Sequence, residues 1–266
     1  MMAYALKTRV VRIGDNLADM ILEALNERGL TLEDNDIIAI TSKVIAIAEG
    51  QVVKLDQVKP SEKAKRLAQK YRLQPELAEL VLLEADKIYG GVEKAILTLK
   101  NGVLIANAGI DNKNAPTGHA VLWPRNPVKS CEEIRKEIYQ KTGKCVAVLI
   151  VDSGLIPLRI GTVGLALAVA GFTPTVDYRG ENDLFDRQIA VTRHAVADDL
   201  ACTSHLLMGE AKGKTPVVLI RGAPVEYENR VYDGSDLMMP HQDCLFMGTF
   251  LASKRSSDIS DKITRS

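Results

Sequence analysis

The sequence predicts an α+β fold, a mixed single unit that is most simply divided into two interlocked subdomains. The chain has 266 residues, 46% of them hydrophobic, which is enough to bury a substantial core. Short apolar runs typical of buried strands are mixed with segments whose apolar residues recur at helical spacing. No stretch rich in Pro, Gly or Ser divides the chain, so we expect one cooperative unit.

Runs of β-branched and aliphatic residues predict the strands. These runs lie at residues 9–13, 36–41, 145–152 and 216–222. The third run is almost entirely apolar and ends in Asp152. A hairpin is predicted over residues 95–107, because Asn101 and Gly102 both tolerate the positive φ angles of a two-residue turn.

Capping residues predict where the first helices begin. Asp15 or Asn16 caps a helix whose apolar positions continue to Gly29. Two more helices follow, the first opened by Ser61 and the second by Pro75 at its first helical position. Each of these signals is local, so the elements are predicted independently of the rest of the fold.

Two further helices are predicted in the second half of the chain. Ser130 begins one, with Glu133 completing a capping box and Gly143 stopping the helix. The other spans residues 193–209 and leads through a polar loop into the strand at 216–222.

Charge and cysteine usage exclude several classes of function. Lys plus Arg equals Asp plus Glu at 34 each, so no basic field attracts nucleic acid or an anionic membrane. The longest apolar run, residues 160–172, is too short to cross a bilayer, and the first residues lack the pattern of a signal peptide. The four cysteines lack the spacing of a zinc site and the density of a disulfide scaffold. We expect a soluble, cytoplasmic protein.

Two carboxylates share one setting, because Asp111 and Asp152 each follow an apolar strand. A strand is a rigid mount, and carboxylate oxygens are the ligands that Mg²⁺ and Mn²⁺ prefer. The alternative is that each aspartate caps a turn, which is the commoner role of a lone Asp in this position.

The loop "MGEAKGKTP" (208–216) is a candidate phosphate site. Two glycines free its backbone N–H groups, and Lys212 and Lys214 add positive charge. It is not a P-loop, because the spacing from Gly209 to Gly213 is one residue short and the loop leads from a helix into a strand. The alternative is an ordinary solvated loop. Glu210 fits an anion site only if a metal ion lies between its carboxylate and the bound anion.

Other catalytic patterns are weaker. His194 and His205 are assigned to one helix but lack the spacing of a two-histidine metal site, so no histidine is expected to bind a metal. No Ser-His-Asp order or nucleophile elbow is present in the sequence.

The ordered set of motifs resembles the coenzyme F-420 γ-glutamyl ligases. The motifs are "GDNLADMI", "TSKVIAIAEG", "NAGIDNKN", the strand ending in Asp152, "DYRGENDLFDR", "VADDLACTSHLLMGE" and "PVVLIRG". They occur in family order over roughly residues 8–222. The resemblance implies the γ-glutamyl ligase fold over residues 1–252, followed by a polar tail at 253–266.

The resemblance also implies the site residues. Asp111, Asp152, Ser153 and Glu210 would bind Mg²⁺ or Mn²⁺, and the three carboxylates would converge on one cation cluster as the catalytic group. Nucleotide contacts would come from Ser42, Lys43, Asn114, Met208, Gly209, Ala211, Lys212, Gly213, Lys214 and Thr215. GTP would be the cosubstrate, with K⁺ as a further candidate cation.

The implied reaction joins L-glutamate to the carboxylate of a deazaflavin precursor through an acyl phosphate, in a homodimer. Arg159, Arg179 or Lys43 would hold a substrate carboxylate. Ile47 stands where the family usually has lysine, and residues 153–160 are more apolar than the family pattern. The N-terminal loop "KTRV" (7–10), which contacts nucleotide in the family, lacks the family's Gly and Pro. Two alternatives follow from these departures: a paralogue that uses another acid, and a non-catalytic protein that binds metal or nucleotide.

Overall fold

The computed structural model of the chain describes residues 1–113, 115–232 and 234–252. The strands are β1 (Met2–Leu6), β2 (Ile37–Thr41), β3 (Val52–Lys54), β4 (Lys87–Val92), β5 (Ala95–Lys100), β6 (Val103–Ala106), β7 (His119–Val121), β8 (Ala147–Gly154), β9 (Val163–Phe172), β10 (Val176–Asp177), β11 (Arg193–His194), β12 (Val217–Arg221) and β13 (Tyr227–Tyr232). The helices are α1 (Leu17–Glu27), α2 (Ser42–Ala48), α3 (Glu62–Tyr71), α4 (Pro75–Glu84), α5 (Pro127–Thr142) and α6 (Val196–Met208).

The main sheet has six strands within the described residues, in the order β1-β12-β2-β8-β9-β13. Strands β2 and β8 are parallel, and the other neighbours are antiparallel. A parallel pair needs a long crossover, and the chain between β2 and β8 supplies it as a second folded layer.

Both faces of the main sheet are covered, as its side chains show. Alternate residues of β2 point to opposite sides: Ile38 and Ile40 pack in the core that includes α1 and α5, whereas Ile37 packs in the core that includes α6. A strand buried on both faces reads as a continuous apolar run, which explains the composition of β2, β8 and β12. Side chains at the strand ends are therefore held on a rigid frame.

The crossover forms a smaller α+β layer around the sheet β4-β5-β6. Helices α3 and α4 pack against it through a separate hydrophobic cluster that includes Tyr71, Val81 and Ile96. Strands β3 and β7 pair next to it. The mixed α+β fold is thus confirmed, with a distinct core in each sheet layer.

Most predicted elements are confirmed. Asn16, not Asp15, caps α1 by accepting a hydrogen bond from the N–H of Asp19, and Ser61 caps α3 in the same manner. Pro75 is at the first turn of α4, and the Asn101-Gly102 turn joins β5 to β6 with positive φ angles at both residues.

The strand predicted at residues 9–13 is wrong. Val10 and Ile13 are largely exposed, and an ion pair of 2.5 Å between Arg9 and Asp15 holds the segment as a loop. Strand β1 takes the edge position beside β12 instead. Of the three apolar residues in 9–13, Val11 is buried in the core, so the segment does not present the apolar face of a strand.

Three other boundaries also need correction. Helix α5 begins after Asn126, whose side chain accepts from the N–H of Lys129, with a proline at the first turn; Ser130 lies inside the helix. His194 belongs to β11, outside α6. Strand β8 continues past Asp152 to Gly154, because β9 pairs with it throughout.

Within the part of the chain that the structure describes, no helix is long and apolar enough to pass through a membrane. All four cysteines are free thiols. The predicted polar tail, residues 253–266, lies outside the described residues.

Candidate active site

A cavity of about 990 Å³ opens where four segments meet: the loop before α1, the β2–α2 junction, the end of β8 and the loop after α6. The predicted metal ligands Asp152, Ser153 and Glu210 line it. So do eight predicted nucleotide contacts: Ser42, Lys43, Met208, Gly209, Ala211, Lys212, Lys214 and Thr215. Gly213 is not part of the lining, and Asn114 lies outside the described residues. Residues far apart in sequence therefore share one concave site.

The β2–α2 junction brings two of these side chains into the cavity. Ser42 is buried at the start of α2 and hydrogen-bonds to the carboxylate of Asp152. Lys43 extends to Asp111, with 2.5 Å between its Nζ and Oδ2 of the carboxylate, and also donates to the carbonyl of Lys113. This contact connects the main sheet to the loop that carries Asp111.

The turn before Asp111 has an uncommon backbone. Asn107, Ala108 and Gly109 all have positive φ angles, between 52° and 72°. Two bonds to β5 hold this conformation: the N–H of Ile96 donates to Asn107 Oδ1, and the N–H of Ala108 donates to Thr98 Oγ1, each at 2.8 Å. A non-glycine residue rarely adopts such angles, so these bonds offset a conformational cost.

The turn delivers Asp111 beside β7. Strand β6 ends at Ala106, so Asp111 does not follow the strand directly as the sequence suggests. Instead, Asp111 and Val121 exchange backbone hydrogen bonds of 3.0 and 2.8 Å as an isolated bridge. Asp111 is absent from the cavity lining and is joined to the cavity through Lys43.

Asp152 is the most enclosed of the three carboxylates. Its oxygens accept from Trp123 Nε1 at 2.5 Å and from the N–H of Ser153 at 2.7 Å, in addition to the bond with Ser42. Burial raises the pKa of Asp152 to about 6, because desolvation disfavours the charged form more than these bonds favour it. A cation in the cavity would therefore compete with a proton for this carboxylate.

Glu210 has the opposite electrostatic balance. It follows α6 and accepts from Thr162 at 2.8 Å and contacts His205 Nε2 at 2.7 Å. Burial acts to raise the pKa of Glu210, but these bonds and the charge of Lys43 outweigh burial and lower it. Glu210 thus stays ionised at pH values where Asp152 begins to bind a proton.

Lys43 is the common neighbour of the three carboxylates. It pairs directly with Asp111, and its charge opposes the effect of burial on the pKa values of Asp152 and Glu210. A lysine ammonium at this point reduces the repulsion among groups of like charge.

The donor set fits a hard cation by its chemistry, because carboxylate and hydroxyl oxygens are what Mg²⁺ and Mn²⁺ prefer. However, nowhere in residues 1–113, 115–232 and 234–252 do three His, Cys, Asp or Glu side chains lie close enough together to hold an ion. The expected convergence on one cation cluster is therefore not preformed. The individual ligand roles of Asp111, Asp152, Ser153 and Glu210 stay predictions.

The loop after α6 is shaped by its own contacts. Gly209 adopts a positive φ of 68° at the end of the helix, and Thr215 closes the loop by donating to the carbonyl of Met208 at 3.0 Å. The carbonyl of Lys214 accepts from the N–H of Thr8 and so holds the N-terminal loop beside it. The loop is thus joined to the segment that forms the opposite wall.

The opposite wall combines charge with apolar surface. Val10, Ile13, Val44, Ile47 and Val52 line it, so Ile47 does face the site. Arg9 and Arg12 line it as well, although sequence patterns assign them to a strand. The apolar residues between and beside these two arginines made the segment resemble a strand, which concealed that the arginines line the cavity.

Of the other departures, the N-terminal loop 7–10 lines the cavity through Thr8, Arg9 and Val10, whereas most of the segment 153–160 lies outside it. Leu158 and Ile160 are exposed, and in the described chain Ser153 is the only residue of the segment 153–160 that lines the cavity. Arg179 is held by Asp177 through two oxygens and does not reach the cavity. Of the three side chains expected to hold a substrate carboxylate, Lys43 is therefore the one in the cavity.

Trp123, Thr162 and His205 contact the predicted ligands. His205 lies in the motif that ends at Glu210, whereas Trp123 and Thr162 lie outside the family motifs and reach their partners only in the folded chain. Fold and cavity together define an α+β protein with a concave site that brings lysines and carboxylates together.

Similarity to known proteins identifies the family. A family model described as F420-0:Gamma-glutamyl ligase matches residues 5–222. Three similar proteins are each named coenzyme F420:L-glutamate ligase. They come from Methanothermobacter thermautotrophicus (38% identity, 90% of this chain and 95% of the relative), Methanocaldococcus jannaschii (40%, 87% and 90%) and Archaeoglobus fulgidus (35%, 82% and 86%). The chain therefore belongs to the F420-0:γ-glutamyl ligase family, a family of enzymes that form amide bonds.

Proposed function

We propose that the protein joins L-glutamate to the carboxylate of a coenzyme F420 precursor, using GTP and an acyl phosphate intermediate. The names of the relatives support the coenzyme and the amino acid. The observation that carries the proposal is the single cavity shared by Lys43, Asp152 and Glu210, with Asp111 paired to Lys43 at its edge.

The chemistry explains why such a cavity needs charged groups of both signs. A carboxylate resists attack by an amine, so the γ-phosphoryl group of GTP is first transferred to a carboxylate oxygen, which releases GDP. The amine of glutamate then attacks the acyl carbon, the C–O bond to phosphate breaks, and phosphate and a proton leave. Phosphoryl transfer depends mainly on positioning and on compensation of negative charge.

In this reaction, the lysines and the carboxylates of the chain would have different roles. Lys43, Lys212 and Lys214 bring positive charge to the phosphates. A Mg²⁺ or Mn²⁺ ion held by Asp111, Asp152, Ser153 and Glu210 would neutralise charge on the transferring phosphoryl group. Lys43 is then expected to turn from Asp111 toward a phosphate oxygen. K⁺ is retained as a further candidate cation.

A substrate carboxylate also needs a cationic partner. Lys43 and Arg12 both line the cavity, and Arg12 has a guanidinium that can bind a carboxylate through two parallel hydrogen bonds. Arg9 is less suited, because it is already paired with Asp15 and Glu23. We therefore propose Arg12 as the additional contact for a substrate carboxylate.

A second candidate function keeps the reaction and changes the acceptor. Ile47 contributes to the apolar wall with Val44 and Val52, where the family usually has a lysine. An apolar wall favours a different planar or hydrophobic acid over a phosphate-bearing group. This candidate is a paralogous ligase that adds glutamate or another amino acid to a different carboxylate.

A homodimer is part of the proposal. Leu158, Ile160, Leu184 and Phe185 are at least three-quarters exposed in the single chain, which is unusual for large apolar side chains. Sedimentation velocity should give one species of twice the mass of the chain. A monomer at every protein concentration would remove the homodimer from the account.

The experiment is product analysis by mass spectrometry. The protein is incubated with Mn²⁺, L-glutamate, GTP or ATP, and a panel of carboxylic acids that includes the deazaflavin precursor. We expect the precursor to gain the mass of one glutamyl unit, with GDP and phosphate formed in equal amounts. Products with another acid alone would favour the second candidate. Tight GTP binding without any product would indicate a non-catalytic protein.

A further inference from the structure

We propose that Trp123 is a positioning residue that fixes the orientation of the Asp152 carboxylate toward the cavity. Its indole Nε1 lies 2.5 Å from Oδ2 of Asp152, and its side chain is almost entirely buried. The inference rests on the proposed function, in which Asp152 binds the cation. Residues that hydrogen-bond to metal ligands orient them, and their loss commonly weakens metal binding by about 10- to 100-fold.

The position of the indole is specified by a glycine. A Cβ atom at Gly109 would lie 2.1 Å from Trp123 Nε1, closer than any real contact allows. Gly109 also has a φ of +72°, so its left-handed turn and its missing side chain together make room for the N–H group. The turn that precedes Asp111 therefore also shapes the seat of Trp123.

The ring is held from another side by a buried lysine. Lys100 Nζ lies 5.9 Å from the centroid of the Trp123 ring, and Lys100 forms an ion pair with Glu84. The attraction between an ammonium and the ring face opposes rotation of the indole. Trp123 is thus confined by strand β5 and by the turn at Gly109, and its N–H has a single direction.

The hydrogen bonds to Asp152 limit how it can bind a cation. A carboxylate offers about four lone-pair positions. Trp123, the N–H of Ser153 and the hydroxyl of Ser42 each use one. About one position is left, so Asp152 is expected to give a cation one oxygen contact, in a direction that the indole determines.

The chain offers a clean test because Trp123 is its single tryptophan. In one variant, position 123 carries benzothienylalanine, in which sulfur replaces the N–H group and the ring shape is retained. In the matched control it carries 5-fluorotryptophan, which retains the N–H donor. Affinity for Mn²⁺, with and without GTP, is measured from the electron paramagnetic resonance of free Mn²⁺, and unfolding midpoints are compared.

We expect the benzothienyl protein to bind Mn²⁺ at least tenfold more weakly, whereas the fluorinated protein binds it as the natural chain does. In the fluorinated protein, the fluorine resonance should broaden on addition of Mn²⁺, and Asp152→Asn should abolish the saturable part. Equal Mn²⁺ affinity in the two labelled proteins would overturn the role of Trp123. If Asp152→Asn itself leaves Mn²⁺ affinity unchanged, the proposed metal site fails instead, so the two failures are distinguishable.

Discussion

Asp152 and Asp111 face the same lysine from two different kinds of support. Asp152 lies within β8, which is paired with β2 on one side and β9 on the other, and three groups hydrogen-bond to its carboxylate. Asp111 lies in a loop and is held by Lys43 and by the N–H of Lys113. One carboxylate therefore lies on a paired strand with three hydrogen-bond partners, whereas the other lies on a loop with fewer, and we expect that loop to adjust more readily.

This difference indicates how a site without a preformed ion cluster can work. In the proposed function, the carboxylate on the strand would set the position of the cation, and we expect the one on the loop to follow when Lys43 turns to the nucleotide. Substitutions that change Asp152 or Asp111 separately test whether the two supports differ in this way.

The largest effect is expected from Asp152→Asn, which keeps the shape and removes the charge. Loss of a charge-compensating group in phosphoryl transfer lowers turnover on the order of 1,000-fold or more. Metal-dependent GDP release by the variant and the natural chain is the measurement. Asp183→Asn is the control, because that carboxylate pairs with Arg187 away from the cavity. Full turnover by Asp152→Asn would remove Asp152 from its role.

The next effect comes from lengthening each aspartate by one methylene. Asp152→Glu is expected to lower turnover by about 100-fold, since the enclosed strand cannot absorb a displacement of about 1 Å. Asp111→Glu should cost less than about tenfold, because the loop can adjust. The measurement is the turnover number of the two variants and the natural chain in steady-state kinetics at saturating GTP. Equal losses would show that the two supports are equally rigid.

The pH dependence of Mn²⁺ binding tests the buried setting of Asp152. The pKa of Asp152 is raised to about 6, so below this pH a proton must leave before a cation binds. Affinity for Mn²⁺ should fall about tenfold for each pH unit below about 6 and level off above it. Titrations from pH 5 to pH 8 measure this, and any Mn²⁺ binding that remains in Asp152→Asn should not show the dependence. A flat profile in the natural chain would contradict it.

The raised pKa of Asp152 also makes the stability of the folded chain depend on pH. The folded chain binds the proton of Asp152 more tightly than the unfolded chain, whose carboxyl has its ordinary pKa of 3.8. The contribution of Asp152 to stability is therefore present at low pH and is lost as the pH rises from about 4 to about 6.

The smallest effect is expected from a change in the turn that precedes Asp111. Thr98→Val keeps the side-chain shape but removes the acceptor for the N–H of Ala108, and it also removes the bond from Thr98 to the carbonyl of Ile105. A buried N–H without a partner costs about 1–3 kcal/mol. Denaturant unfolding should show this loss. Thr203→Val, at an exposed helical position, is the control and should change stability by less than about 0.5 kcal/mol.

Much of the fold could be predicted because its signals are local. The cap at Asn16, the proline at the start of α4 and the Asn101-Gly102 turn each depend on neighbouring residues alone. The start of α5 was missed because two capping signals compete, and Asn126 followed by proline prevails over Ser130. The strand at 9–13 was predicted wrongly, because an apolar run does not reveal whether its residues pair with a neighbouring strand or lie in a loop.

The candidate site could be predicted only in part. Asp152 was a candidate because it follows an apolar strand and the loop after α6 because of its glycines and lysines, the family resemblance added Glu210 as a ligand, and the structure brings all three to one cavity. The contacts of Lys43 with Asp111 and of Trp123 with Asp152 join segments 68 and 29 residues apart. No spacing rule in one sequence determines such pairings, because they depend on how the smaller layer packs beside the main sheet.

The most direct test is a crystal structure of the protein with GTP and Mn²⁺, with the metal located by its anomalous scattering. We expect a peak within coordination distance of Asp152 and Glu210, with Asp111 drawn to it and Lys43 turned to a phosphate oxygen. A peak outside the cavity, or GTP bound there while Lys43 stays paired with Asp111 and no metal contacts Asp152, would contradict the account.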